Sequence, residues 1–205
     1  MIKTILWDFD GVILDSMKIK GDGFIELFHE YTEDDLLKLE KYHYNNGGVS
    51  RFEKIRYFYR DIIKKNITEE EVETLANKFA KIIETKLRDK DNLIEDSVDF
   101  IKANYKKYHF HIVSGAEHKE LNTLCKNFDL TKSFISIDGS PTKKDILVQN
   151  ILKKYNYSKD ECILIGDAVT DRNAAMKNNI AFYGYNNIDL KQFGNYIESF
   201  EEFTL

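Results

Sequence analysis

The sequence predicts an α/β fold: a doubly wound, mostly parallel sheet that carries an inserted all-helical domain. Three observations predict it. Short apolar runs alternate with amphipathic helical patterns over most of the 205 residues. Hydrophobic residues make up 42% and charged residues 32%, which suits a packed core beneath a charged surface. The stretch 16–90 breaks the alternation, with several helical runs and no convincing strand.

Residues 2–7 read as the first strand. The helical stretch follows directly. Within it, 51–60 and 69–87 space their apolar residues at helical intervals, and Thr68 with Glu71 forms a capping-box pair at the start of the second run. Asn45-Asn46-Gly47-Gly48 is its clearest helix break. Beyond it, strand runs at 110–113, 134–137, 162–165 and 180–183 are separated by helical patterns at 98–105, 117–128, 145–155 and 171–177. Strands joined through helices imply right-handed crossovers and a sheet covered on both faces. The tail, 190–203, reads as a short helix or an edge element. The expected organisation is a core from 1–15 and 91–205, with a helical cap from 16–90.

Composition excludes several classes of function. A formal net charge of −5 argues against nucleic acid, because neutralising phosphate backbones needs a basic face. Cys125 and Cys162 lie far apart without CxxC spacing and read as reduced interior thiols. Apolar runs such as Cys162-Ile163-Leu164-Ile165 are much shorter than a membrane span, and the acidic cluster at Asp8 and Asp10 interrupts any signal-peptide pattern. A cytoplasmic monomer or homodimer is expected.

The chemistry concentrates at the strand ends. Asp8-Phe9-Asp10-Gly11-Val12 follows the first strand, where doubly wound sheets place their ligand crevice. In extended backbone Asp8 and Asp10 project the same way, and Gly11 permits a tight exit. Gly166-Asp167-Ala168-Val169-Thr170-Asp171 supplies a second acidic group after the fourth strand. Two like charges 4 Å apart repel by about 4 kcal/mol at an effective dielectric near 20, so gathering these groups calls for a cation. Oxygen-only ligands favour Mg²⁺. Ser114, with the backbone amides of Gly115, and Lys143 or Lys144 offer donors suited to phosphate oxygens. Together these groups match phosphoryl transfer through an enzyme carboxylate.

Asp8–Val12, then Val113-Ser114-Gly115, then Gly139-Ser140-Pro141-Thr142-Lys143-Lys144, then the 166–171 segment resemble the four motifs of the haloacid dehalogenase (HAD) superfamily, in order. The first and fourth are specific; the serine and lysine motifs are weak alone. The helical insert after the first motif resembles the family's C1-type cap. The resemblance implies a Rossmann-like core and a phosphatase, phosphoglycolate phosphatase-like, acting on a small phosphorylated metabolite. It implies Asp8 as nucleophile, Asp10 as general acid/base, and Ser114 with one lysine as phosphate holders. Mg²⁺ would be held by Asp8, the Asp10 backbone carbonyl and Asp167, with Asp171 in support. Lys143 is preferred to Lys144, because Lys144-Asp145-Ile146-Leu147 follows it as the family's small or polar residue, acid and two aliphatics follow its lysine. Lys144 instead fits the Pro-x-x-Lys spacing.

Asp10 separates phosphate transfer from dehalogenation, since a halide leaving group needs no proton. Gly166 stands where β-phosphoglucomutase-like members carry glutamate, which tilts the reading to hydrolysis over phosphotransferase or mutase chemistry. Each residue also has a plain competitor: a strand-end turn at Asp8–Gly11, helix caps at Ser114 and Asp171, a solvated surface at the lysines. A receiver-type signalling domain, with Asp138 as acceptor, fits the insert and the 166–171 segment poorly. A catalytically idle binding protein on this scaffold is the remaining alternative. Three of the five arginines, Arg51, Arg56 and Arg60, fall in one insert helix. The expectation is that the 46–51 loop descends on the site and Arg51 reads the non-reacting end of the substrate.

Overall fold

The computed structural model describes residues 1–204. Strand β1 (Thr4–Trp7) is buried at every position, as an apolar run covered on both faces requires. It lies at the centre of a six-stranded parallel sheet of order β3-β2-β1-β4-β5-β6, formed with β2 (His109–Glu117), β3 (Ser136–Ser140), β4 (Cys162–Gly166), β5 (Ala181–Tyr185) and β6 (Tyr196–Ile197). The register aligns Trp7 with Ile112 on one side and with Ile165 on the other. The segments following β1, β2 and β4 therefore leave the sheet side by side, at the point where the chain order reverses. That is where an open α/β sheet forms its crevice.

Helices α5 (Glu95–Asn104), α6 (His118–Asn127), α7 (Lys144–Tyr155) and α8 (Val169–Asn178) flank the sheet. β2 runs further than its apolar core and takes Ser114, Gly115 and Ala116 into the strand, so α6 begins only after Glu117, whose carboxylate caps the amides of Lys119 and Glu120. The tail supplies both elements left open by the sequence: a 3₁₀ segment, Ile188–Phe193, and the edge strand β6.

Between β1 and α5 the chain builds helices α1 (Met17–Leu27), α2 (Glu33–Asn45), α3 (Arg51–Tyr57) and α4 (Glu69–Leu87). The 51–60 run is not one α-helix; after Tyr57 it passes into a π-helical turn, Phe58–Ile62. That turn places Phe58 face to face with Phe28 at 4.1 Å between centroids, while Phe24 stacks on Phe79 at 4.2 Å. α4 starts with the Thr68–Glu71 capping box, both bonds formed. The two chain crossings run together, Asp15 N–H donating to Asn92 O (2.8 Å) and Ile94 N–H to Ile13 O (3.0 Å). The helical insert is thus tied to the sheet through a narrow paired neck. It also sits down on the sheet end: the Thr170 hydroxyl donates to the Gly47 carbonyl at 2.7 Å, and Arg51 pairs with Glu120.

Candidate active site

Asp8 leaves β1 with its N–H still on the Ile165 carbonyl (2.9 Å), which fixes it between β1 and β4. The residue is 1% exposed. Its Oδ1 accepts from the Phe9 N–H at 2.7 Å and faces the Lys144 ammonium at 2.9 Å. Its Oδ2 is buried with no partner among the described residues. An orphaned carboxylate oxygen is costly unless something absent from the protein chain occupies its lone pairs.

Asp10 faces different company. It accepts from the Ser16 hydroxyl (2.6 Å) and the Lys20 ammonium (2.5 Å), both at the entry to the insert. Gly11 then turns the chain at φ +78°, and a Cβ there would overlap the Asp167 carboxylate. Glycine is needed twice over at this position, for its backbone angle and for close approach of the two acidic loops. Gly11 belongs to the packing between loops rather than to an open binding surface.

Asp167 and Asp171 stand at the β4–α8 turn. Carboxylate oxygens of Asp8, Asp167 and Asp171 lie within 4.8 Å of one another. Asp171 is fully buried; one oxygen accepts from the Ala168 N–H (3.0 Å) and the other pairs with Lys144. The Asp10 carboxylate stands apart from this trio, held by Ser16 and Lys20. An all-oxygen, partly unsatisfied carboxylate set is the donor chemistry of Mg²⁺, and the residues fit that ion.

Charge behaviour follows from these contacts. Burial, with the nearby Asp171 charge, outweighs Lys144 and pushes the Asp8 carboxyl up to about 7. Burial and the charges of Asp8 and Asp171 likewise raise Asp167 well above the usual carboxylate range. Burial also works to raise Asp10, but the Lys20 charge and its hydrogen bond, with that of Ser16, outweigh it and hold Asp10 low. Burial disfavours the Lys144 ammonium, yet Asp171 and Asp8 more than compensate and its pKa rises. The site is a carboxylate cluster short of positive charge, a setting that a divalent cation would relieve.

Ser114 is fully buried, its hydroxyl oxygen accepting from the Ala116 N–H at 3.1 Å, which leaves the hydroxyl proton free to donate. The lysine preference needs correction. Lys144, not Lys143, reaches the acidic cluster; Lys143 is the exposed N-cap of α7. α7 starts at Lys144, one residue earlier than the 145–155 pattern, and one helical step turns a side chain by roughly 100°, so Lys143 and Lys144 point apart. Arg51 is 7% exposed and pairs with Glu120, with its guanidinium 5.1 Å over the Phe79 ring. Arg56 pairs with Glu53 and Glu69, and Arg60 with Asp61, on the exposed side of the insert. Gly115 lies against the Gly48 backbone of the descending loop.

Besides Ser16 and Lys20 beside Asp10, two residues after β5 escaped the sequence reading. The Asn186 amide donates to the Gly11 carbonyl (3.0 Å) and the Asn187 amide to the Asp167 carbonyl (2.7 Å), bracing both acidic loops from the end of β5. Their only signal was an Asn-Asn pair after a strand, which reads equally well as a turn.

A six-stranded parallel sheet with a helical insert after β1 and an acidic crevice at its reversal point defines the class of HAD-fold proteins. The family model for haloacid dehalogenase-like hydrolases matches residues 2–177, and the chain belongs to that family. Solved structures share the fold at low identity. A β-phosphoglucomutase from Clostridium difficile is 19% identical, with TM-score 0.76 and coverage of 100% of this chain and 94% of that one. A predicted phosphoglycolate phosphatase from Haemophilus somnus is 16% identical, with TM-score 0.74 and coverage of 97% and 95%. A HAD-family hydrolase from Bacillus subtilis, solved with magnesium and showing interdomain movement, is 19% identical, with TM-score 0.70 and coverage of 98% and 96%. No curated protein matches the chain at a significant level. Among the described residues, no helix is long and apolar enough to cross a membrane.

Proposed function

We propose that the chain is a Mg²⁺-dependent phosphomonoester hydrolase that forms an aspartyl-phosphate at Asp8 and acts on a small phosphorylated metabolite beneath the helical cap. The observation that carries this reading is the Asp8 carboxylate: buried, held by one backbone amide and one ammonium, with its second oxygen unsatisfied inside an acidic cluster. Asp8, Asp167 and the Asp10 backbone carbonyl would hold Mg²⁺, with Asp171 in support. The ion would supply charge neutralisation for phosphate and carboxylates.

An Asp8 oxygen forms a bond to phosphorus while the ester P–O bond breaks, and the departing alcohol oxygen takes a proton through the Asp10 carboxylate, which receives it from the Lys20 ammonium it faces. Water then attacks the phosphorus. Its proton passes to Asp10, the Asp8–phosphorus bond breaks, and inorganic phosphate leaves. The Ser114 hydroxyl and the Lys144 ammonium hold the phosphoryl oxygens through both halves. Asp171 keeps Lys144 charged and aimed at Asp8. The cap excludes bulk water.

Hydrolysis is favoured over the mutase reading by Gly166. A Cβ at that position would collide with the Asp171 carboxylate, so the glutamate typical of the mutase-like motif has no room while Asp171 occupies the space. The experiment is a screen of phosphorylated metabolites with and without Mg²⁺, with Asp8→Asn as control. Phosphate release that depends on Mg²⁺ and disappears in Asp8→Asn is expected. Release that survives in Asp8→Asn removes the nucleophile from the account.

A further inference from the structure

Above Asp10 the insert and the sheet end border a partly open cavity of about 30 Å³, lined by Asp10, Lys20, Phe24, Arg51, Lys54 and Gly115 among others. Three cations therefore face one small space beside the reacting centre. Two are already matched: Lys20 by Asp10, and Arg51 by Glu120. Lys54 is not. It is 3% exposed, and among the described residues its ammonium has only neutral partners, His43 Nδ1 at 2.9 Å and the His43 carbonyl at 3.4 Å. His43 Nε2 lies 2.9 Å from the Met17 carbonyl, so Nε2 carries the ring proton and Nδ1 accepts from Lys54. The Phe24 ring, 6.0 Å away, completes an apolar wall.

A buried ammonium without a counter-charge is unfavourable, and proteins rarely keep one unless a bound group supplies the missing anion. We propose that Lys54 binds a carboxylate on the leaving-group side of the substrate, which makes the substrate a compact phosphorylated hydroxy acid. This inference rests on the phosphomonoesterase reading above. Size agrees with charge. A water needs roughly 10–15 Å³ on this measure, so the space beside Lys54 takes a group of a few heavy atoms such as a carboxylate. Burial, then the Lys20 charge, draws the free Lys54 amine down to about 7, and an arriving anion restores its charge. Lys54 is a specificity-determining residue, in contact with the substrate's non-reacting end and not with the phosphorus.

The test compares two phosphate monoesters of equal length, 2-phosphoglycolate and 2-hydroxyethyl phosphate, on the whole protein with Mg²⁺. Wild type should favour the acid by at least tenfold in kcat/KM. In Lys54→Met and Lys54→Gln, each checked for a cooperative melt, that ratio should fall at least tenfold, through the KM of the acid. A Lys54 that merely ties α3 to the end of α2 would change both substrates alike. A wild-type ratio near one, or an unchanged ratio in a folded variant, overturns the proposal. If wild type hydrolyses neither ester, nor p-nitrophenyl phosphate, the phosphomonoesterase reading fails instead. Calorimetric titration of wild type and Lys54→Met with the same two esters then decides Lys54: a tenfold binding preference lost in the variant upholds it, and equal binding overturns it.

Discussion

Replacing Gly115 by alanine leaves every proposed chemical group in place, including the residue's own N–H, and acts only on the seating of the insert. A Cβ at Gly115 would stand 2.8 Å from the Gly48 carbonyl carbon and 3.4 Å from its Cα, with the carbonyl oxygen closer still. All three atoms are backbone, so no side chain can swing aside. Moving from 2.8 Å to ordinary contact at 3.4 Å takes 0.6 Å for the carbon. The oxygen demands more, so the loop must rise by about 1 Å, judged against normal carbon–oxygen packing. That displacement stretches the 2.7 Å bond from Thr170 to Gly47 beyond useful length and loosens Arg51 from Glu120. A misplacement of about 1 Å costs on the order of 10²-fold in rate, or about 2.7 kcal/mol of barrier. The assay is kcat/KM on the best ester from the screen, beside a thermal melt. The melt should move by only a few degrees, because no buried apolar contact is lost. A folded Gly115→Ala protein with wild-type kcat/KM would show that seating of the insert has no part in turnover.

Lys144→Ala should abolish turnover, whereas Lys143→Ala, which removes an exposed ammonium, should keep wild-type kcat/KM; the reverse order in a steady-state assay would restore the sequence preference. Mg²⁺ at 100 times its Kd should stabilise wild type by about 2.7 kcal/mol, a rise of roughly 5–10 °C for a chain of this size. Asp167→Asn should lose most of that rise in a thermal-shift measurement, and a wild-type melt indifferent to Mg²⁺ would refute the metal site. Without Mg²⁺, Asp8→Asn should melt above wild type, since it removes the carboxyl that burial and the neighbouring Asp171 charge push up to about 7. Lys54 tests the pH sign. Its pKa falls from 10.5 to about 7 on folding, so between these values the unfolded chain binds more protons and stability rises with pH. Between pH 7 and 9 wild type should gain up to about 2.7 kcal/mol relative to Lys54→Met, on the order of 1.36 kcal/mol per unit. Urea titrations at the two pH values measure it, and parallel curves for the two proteins would refute it.

Strand and helix alternation carried most of the sheet in the sequence, because buried parallel strands are apolar runs and β1, β2 and β4 are such runs. The meeting of Asp8 and Asp167 was legible for the same reason: each directly follows such a run. What remained hidden depends on phase or on distance. Lys143 and Lys144 differ by one helical step, and only the placement of the α7 start decides which faces Asp8. The π-helical turn at Phe58–Ile62 keeps apolar spacing close to that of an α-helix, so periodicity alone does not reveal it. Arg51 stood out as a cation, but its partner Glu120 lies 69 residues away across the crevice. Lys54 carried no signal beside it, since an unmatched charge shows only once every neighbour is placed.

Asp8 and Asp10 differ by two residues and share a strand end, yet their surroundings set them to opposite tasks. Asp8 is placed among carboxylates, which raises its pKa and leaves one oxygen waiting for a cation or an electrophile. Asp10 is placed between a hydroxyl and an ammonium, which keep its carboxylate ionised and aimed at the cavity above. The Asp10 partners, Ser16 and Lys20, come from the first turn of the insert rather than from the sheet. Any movement of the insert therefore changes what Asp10 touches while leaving Asp8 on its sheet-borne bond to Ile165. Under the proposed mechanism the two roles have separate supports: the core holds the atom that would attack, and the insert holds the partners of the group that would gain and lose a proton.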